Sequence, residues 1–183
     1  MEDAERVAAS LTAWLGTVTF EDRDADQVTD LLVQSVLAWG TAQGWRAYRR
    51  ARSVAQLPPP YSDRHSWVDV GIARQGLPPI VVEVDQSDRK RTLEKLQAEA
   101  AQGRVALWLR WGTGPFHTPP TPVLLVTYQV SSRKDPAGRR LFATPAPERP
   151  APAHSGAVSS GISQQDLFGS ASPDSGPNGE PAA

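Results

Sequence analysis

No cysteine occurs among the 183 residues. The chain therefore forms no disulfide and cannot hold a metal through thiolates, which leaves oxygen and imidazole donors for any metal it binds. Long apolar runs are missing too. No stretch approaches the roughly 18 residues of a membrane span, and the first residues lack the basic-then-apolar pattern of a secretory signal, so the expectation is a cytoplasmic protein without a membrane partner. Net charge is almost absent, −1 overall, but the balance conceals a division. Residues 1–44 carry 2 basic and 8 acidic side chains, residues 45–142 carry 16 and 8, and residues 143–183 carry 1 and 4. A positive middle between acidic ends suits a polyanionic partner such as DNA.

What the middle does contain is strand-like alternation. Val68, Val70 and Ile72 alternate with Trp67, Asp69 and Gly71, while Ile80, Val82 and Val84 alternate with Val81, Glu83 and Asp85. Arg74 to Pro79 reads as a turn. An antiparallel hairpin about Gly76 sets Ile72 against Ile80, Val70 against Val82 and Val68 against Val84, with the apolar set on one face. The same register sets Asp69 opposite Glu83. Directly opposed residues have Cβ atoms about 4.5–5.5 Å apart, and like charges so placed destabilise a sheet, so a positive group belongs between them. A hard divalent cation held by one or two carboxylates and several waters meets that need, which makes Mg²⁺ (or Mn²⁺) the expected cofactor.

Beyond Asp85, Ser87 or Asp88 is suited to cap a helix whose first turn is Arg89-Lys90-Arg91, whose apolar side carries Leu93, Leu96 and Ala100, and which ends at Gly103. Val105, Leu107, Leu109 and Trp111 then alternate as another strand. Strand, helix and strand at this spacing predict a right-handed crossover to a parallel neighbour. A helical-wheel count puts Arg89 near the centre of the apolar face and Lys90 on its flank, both within reach of the acids.

Asp69, then Glu83-Val84-Asp85, then a basic helix start and a strand resembles the PD-(D/E)xK restriction-endonuclease-like superfamily, in particular the branch similar to very-short-patch repair endonucleases. The resemblance implies an α/β fold with a mixed central sheet flanked by helices, and metal-dependent cleavage of DNA. It makes Asp69 and Glu83 the metal ligands, joined by the backbone carbonyl of Val84. Val68 stands where the superfamily's name has proline. Asp85 stands where the catalytic lysine belongs, so Asp85 becomes a further metal-binding candidate, and Lys90 or Arg89 on the helix would supply the missing cation. Lys90 has the compact charge and tunable pKa, whereas Arg89 has the favoured position. A catalytically inactive, DNA-binding descendant is the alternative that the departure at Asp85 leaves open.

The flanking segments read as follows. Asp3 caps a helix running to Leu15, and Asp24 with Gln27 forms a capping box for a second helix running to Trp39. In the resembled fold such a helix can donate an acid, for which Asp30 and Glu21 are the candidates; acids on an outer helix face are otherwise simply solvated. Trp45 to Val54 reads as a strand with Arg46, Tyr48, Arg50 and Arg52 on one side. Arg46, Arg50 and Arg52, with Arg64 from the following Pro-rich loop, are the expected DNA-backbone contacts, although a solvated edge strand has the same composition. His65 is either a proton shuttle or a plain loop residue. Trp108 and Trp111 read as core in preference to base-stacking platforms. Val123 to Val130 is a further strand, Ser131 to Phe142 a basic exit segment, and the domain is expected to span residues 1–142.

From Ala143 the composition turns to Ala, Pro, Ser and Gly, which bury too little apolar surface to offset ordering entropy, so residues 143–183 are expected to be a disordered tail. One island interrupts it, Gln164-Gln165-Asp166-Leu167-Phe168. It resembles the pentapeptide with which bacterial polymerases and repair proteins enter the hydrophobic groove of the replicative sliding clamp. That resemblance implies clamp contacts by Gln164, Asp166, Leu167 and Phe168, in the exposed tether that a short linear motif needs. The chain thus reads as a clamp-tethered, metal-dependent DNA endonuclease or DNA-repair factor, or else as an inactive DNA- or clamp-binding accessory protein.

Overall fold

The computed structural model describes residues 2–57, 59–62 and 64–146. The tail, with Gln164 to Phe168, lies outside the described residues. Strands β1 (Arg46–Gln56), β2 (His65–Ala73), β3 (Ile80–Asp85), β4 (Val105–Gly112) and β5 (Leu124–Gln129) form one sheet in that spatial order. The β1–β2 and β2–β3 pairs are antiparallel, and the β3–β4 and β4–β5 pairs are parallel. Helices α1 (Glu2–Leu15) and α2 (Ala25–Ala42) precede the sheet, and α3 (Lys90–Ala101) crosses between β3 and β4. The fold is therefore α/β, a five-stranded mixed sheet flanked by helices. No described helix is long and apolar enough to cross a membrane.

Alternation along the strands decides the layers. Val7, Leu11 and Leu15 of α1 and Val28, Leu32, Val36 and Trp39 of α2 pack on Ile80, Val82 and Val84 and on Leu107, Leu109 and Trp111. Leu96 of α3 meets Val68, Val81, Ala106 and Trp108 on the other face. Every residue of β3 and β4 is buried, as befits central strands covered on both sides. Both Trp108 and Trp111 belong to the core, as their setting among aliphatics predicts.

The helix starts follow local chemistry unevenly. α2 begins at the expected capping box, with the Gln27 N–H donating to Asp24 at 2.8 Å and the Asp24 N–H donating to the Gln27 side chain at 3.1 Å. α1 begins before Asp3, which does not cap it. Instead the Asp3 carboxylate accepts two bonds from the Arg74 guanidinium, at 3.1 and 2.7 Å, and so ties α1 to the turn between β2 and β3.

The hairpin register holds only in part. Val70 pairs with Val82 and Ile72 with Ile80, as expected. Val68, however, does not join Val84 on one face: Val84 packs with α1 and α2, and Val68 packs with α3. The change coincides with an irregularity in the neighbouring strand, where Arg50 has φ 54°, a left-handed conformation that a side chain rarely adopts. Arg49 pairs with Val70 and Ala51 with Val68, and the alternation changes face between those pairs in both strands, because Ala47 contacts the α1–α2 cluster and Ala51 the α3 cluster. Close contact follows: a Cβ added to Gly71 would lie 2.5 Å from the Ala51 side chain. Gly71→Ala should therefore lower stability by about 1–3 kcal/mol through overpacking, measured by chemical denaturation.

The segment expected as a basic exit is a hairpin. β6 (Ser131–Lys134) pairs antiparallel with β7 (Arg140–Ala143), and Phe142 is buried edge-on against Trp111 with ring centroids 5.1 Å apart. Arg133 grips Asp22 through two bonds, at 2.9 and 2.6 Å. The backbone of Thr144 donates to Phe20 and its hydroxyl accepts from the Phe20 N–H, so the packed unit continues to Ala146 and not only to the expected residue 142.

Candidate active site

Beyond Val70 and Val82, the ladder between β2 and β3 gives way to a side chain. Asp69 Oδ2 accepts the Val84 N–H at 2.9 Å, so its carboxylate takes the position that a strand carbonyl would hold. A cleft of about 480 Å³ opens there, lined by Asp69, Glu83, Val84 and Asp85 together with the first turns of α2 and α3. Asp69 and Glu83 thus meet in one cavity, as the sequence predicts, although by a splayed hairpin and not by a regular cross-strand pair.

The cation bonded to Glu83 is Lys95, and Arg89 and Arg91 line the same cavity. The Lys95 Nζ donates to Glu83 Oε1 at 2.7 Å and to the Trp67 carbonyl at 2.6 Å. Burial raises the pKa of Asp69, against the opposing bond from the Val84 N–H. Burial also pushes the Glu83 carboxyl up to about 7, where Lys95 works against the rise and the Asp69 charge adds to it. Four acids line the cleft, Asp26, Asp69, Glu83 and Asp85, against the three cations Arg89, Arg91 and Lys95, which leaves negative charge uncompensated once all ionise. That deficit and an all-oxygen donor set fit Mg²⁺ or Mn²⁺ better than a softer metal. Among the described residues no group of three or more His, Cys, Asp or Glu side chains is arranged to hold a metal ion, although Asp26 and Asp85 line the cleft beside Asp69 and Glu83.

The other candidates have separate fates. Asp85 lines the same cleft, but its carboxylate accepts the Trp108 Nε1–H at 3.0 Å and pairs with Arg89 at 3.4 Å. Lys90 does not reach the acids: its side chain is 91% exposed and pairs with Glu94. Arg89 stays at the rim beside Asp85, in the N-cap position with no capping bond from its side chain. Neither Ser87 nor Asp88 caps α3, since Asp88 is engaged by Arg110 and His117, and the helix begins a residue later than a cap at Asp88 implies. The inward face is then Thr92, Leu96 and Glu99, and Lys95, three residues after Thr92 and four before Glu99, lies beside it.

An acid from α2 does enter the cleft, but it is Asp26. Asp30 instead pairs with Arg49, and Glu21 is exposed ahead of the helix. An adjoining cleft of about 460 Å³ shares Asp26, Thr29 and Asp69 and adds Arg50 and Trp67, whose ring lies 5.8 Å from the Arg50 guanidinium. The four arginines expected to contact DNA do not form one row. Arg50 is next to Asp69, Arg52 and Arg64 share a cleft with His65 further along, and Arg46 pairs with Ala73 at the opposite end of the hairpin.

No protein-family model matches the chain, and no curated protein does. A chain in the solved complex of Thermococcus gammatolerans McrB AAA+ hexamers with bound McrC is similar at 12% identity and a TM-score of 0.37. The match covers 58% of this chain and 28% of that one.

Proposed function

We propose that this chain hydrolyses DNA phosphodiesters in a Mg²⁺- or Mn²⁺-dependent reaction, as its resemblance to restriction-endonuclease-like enzymes implies. The observation that carries the reading is the pairing of half-buried Asp69 with buried Glu83, to which Lys95 is bonded. Asp69 and Glu83 would hold the metal, with the Val84 carbonyl as a further oxygen donor. When bound, the metal would lower the pKa of the attacking water and offset charge on the phosphorane-like transition state. Lys95 supplies a compact, partly desolvated ammonium beside the reacting phosphate, where it orients the water and compensates developing negative charge. Arg89 and Arg50 border the cleft as further positive charge for a phosphate backbone.

The test is metal-dependent cutting of branched, mismatched and single-stranded DNA by the full chain, with Asp69→Ala and Glu83→Ala alongside. Cutting lost in both variants supports the reading, and cutting that persists in them removes the site. Absence of cutting on every substrate would favour the accessory reading, in which the Glu83–Lys95 pair is structural.

A second contact is proposed for the tail. Leu167 and Phe168 would enter the sliding clamp's apolar groove, each contributing roughly 1.5–3 kcal/mol before the ordering cost is subtracted. Leu167→Ala with Phe168→Ala should abolish recovery of the chain on immobilised bacterial clamp. Unchanged recovery would eliminate the tether.

A further inference from the structure

A third cleft, of about 610 Å³, lies at the far end of the β1–β2 pair and shares no residue with the carboxylate cleft. Arg52, Arg64, Arg104, His65, Ser62 and Gln56 line it, and none of its described lining residues is acidic. It is built from beneath. Glu99 is completely buried, and its carboxylate accepts the Ser53 hydroxyl, the Val54 N–H at 2.8 Å and the Arg104 guanidinium at 2.6 Å. A carboxylate so deep is tolerated only when its oxygens are satisfied, and satisfying them here fastens Arg104 to β1 at the edge of the cleft. Arg64 is ordered in turn by the Tyr61 ring, 5.0 Å from its guanidinium. Arginines held in this way match the fork geometry of phosphate oxygens, and serine and glutamine side chains add neutral donors.

Position links this cleft to the acids. His65 precedes Asp69 by four residues on β2, which is about 13 Å of strand. The rise of 3.4 Å per nucleotide runs along the duplex axis while the backbone also winds about it, so a phosphate about 13 Å away lies only a few nucleotides along. Trp67, 44% exposed, lies between the two. The geometry points to a second phosphate subsite: a DNA strand whose reacting phosphodiester is at Asp69 and Glu83 sets another backbone phosphate, a few nucleotides along, among Arg52, Arg64 and Arg104. The link to a reacting phosphodiester rests on the nuclease reading, whereas the binding itself does not.

Anisotropy of a labelled DNA oligonucleotide longer than this spacing, titrated with the full chain in chelator over a salt series, tests the subsite without requiring cleavage. Arg52→Gln with Arg64→Gln should weaken binding at least about tenfold and reduce the slope of log affinity against log salt by about 2. Lys134→Gln with Arg140→Gln removes the same charge elsewhere, on the β6–β7 hairpin, and should change neither. Equal losses in both double variants, or none in the first, would overturn the subsite. A loss confined to the first variant, in a chain that cuts no DNA, would uphold the subsite and remove the nuclease reading alone.

Discussion

Asp69→Asn and Glu83→Gln are each expected to lower metal-dependent DNA cleavage by about a thousandfold or more, and Lys95→Met by about a hundredfold. Lys90→Ala should leave the rate within about twofold, since that side chain is solvated and pairs only with Glu94. The contrast between the two lysines separates them as sources of the catalytic cation, and single-turnover rates on a cleavable DNA measure it. A silent Lys95→Met together with an inactive Lys90→Ala would return the role to Lys90. The pH profile adds a sharper readout. Lys95 opposes the rise in the Glu83 pKa, so its loss drives that carboxyl further up. The acid limb of the Lys95→Met profile should therefore move to higher pH, with part of the lost rate recovered under alkaline conditions. A lysine that merely packed the cleft would lower the rate equally at every pH.

In chelator, the protein should lose about 3 kcal/mol of stability as pH rises from about 4.5 to about 8. Glu83 titrates near 4.5 in the unfolded chain and near about 7 in the fold. A carboxyl whose folded pKa is raised contributes stability that is complete below its unfolded value and lost as pH climbs through its folded one, and Asp69 acts with the same sign. Asp3, Asp22 and Asp135 act oppositely. Bonds from Arg74 and Arg133 hold the first two low, and the Arg139 N–H holds the third, so their contributions disappear under acid. The metal-free optimum should therefore fall near pH ~5, with Tm about 6–12 °C lower on the alkaline side. Metal binding requires the ionised carboxylates, so the Tm gain from millimolar Mg²⁺ should be small at pH ~5 and largest above pH ~7. Scanning calorimetry with and without Mg²⁺ measures both effects. Glu83→Gln should flatten the metal-free slope and remove the gain. A Tm independent of pH in chelator, or a magnesium gain equal at both ends of the range, would contradict the assignment.

Much of the site was legible from residue order because it depends on neighbours a few positions apart. The capping box at Asp24 and Gln27, the turn about Gly76, the central part of the hairpin register and the buried Trp108 and Trp111 all follow from local periodicity. Lys95 is not legible from periodicity because it falls beside the apolar stripe of Leu93, Leu96 and Ala100, and only the docking of α3 brings it to Glu83. In the folded chain Asp88 engages Arg110 and His117 in place of capping that helix. The β6–β7 hairpin is likewise not legible from periodicity. Its short, exposed β6 has little apolar pattern, and its pairing is supported by Arg133 reaching Asp22 and by Phe142 against Trp111.

Residue order by itself determined the α/β alternation, the burial of β3 and β4, and the adjacency of Asp69 and Glu83 near the end of a hairpin. These are consequences of side-chain period and turn chemistry, which act over a few residues. Tertiary structure alone decided how the two acids meet and which cation joins them. The left-handed backbone at Arg50 accompanies a change of face in two strands at once, and α3 docks by Leu96 and Glu99, which brings Lys95 over the sheet to Glu83. Packing between distant segments sets those choices, and no single segment carries the information.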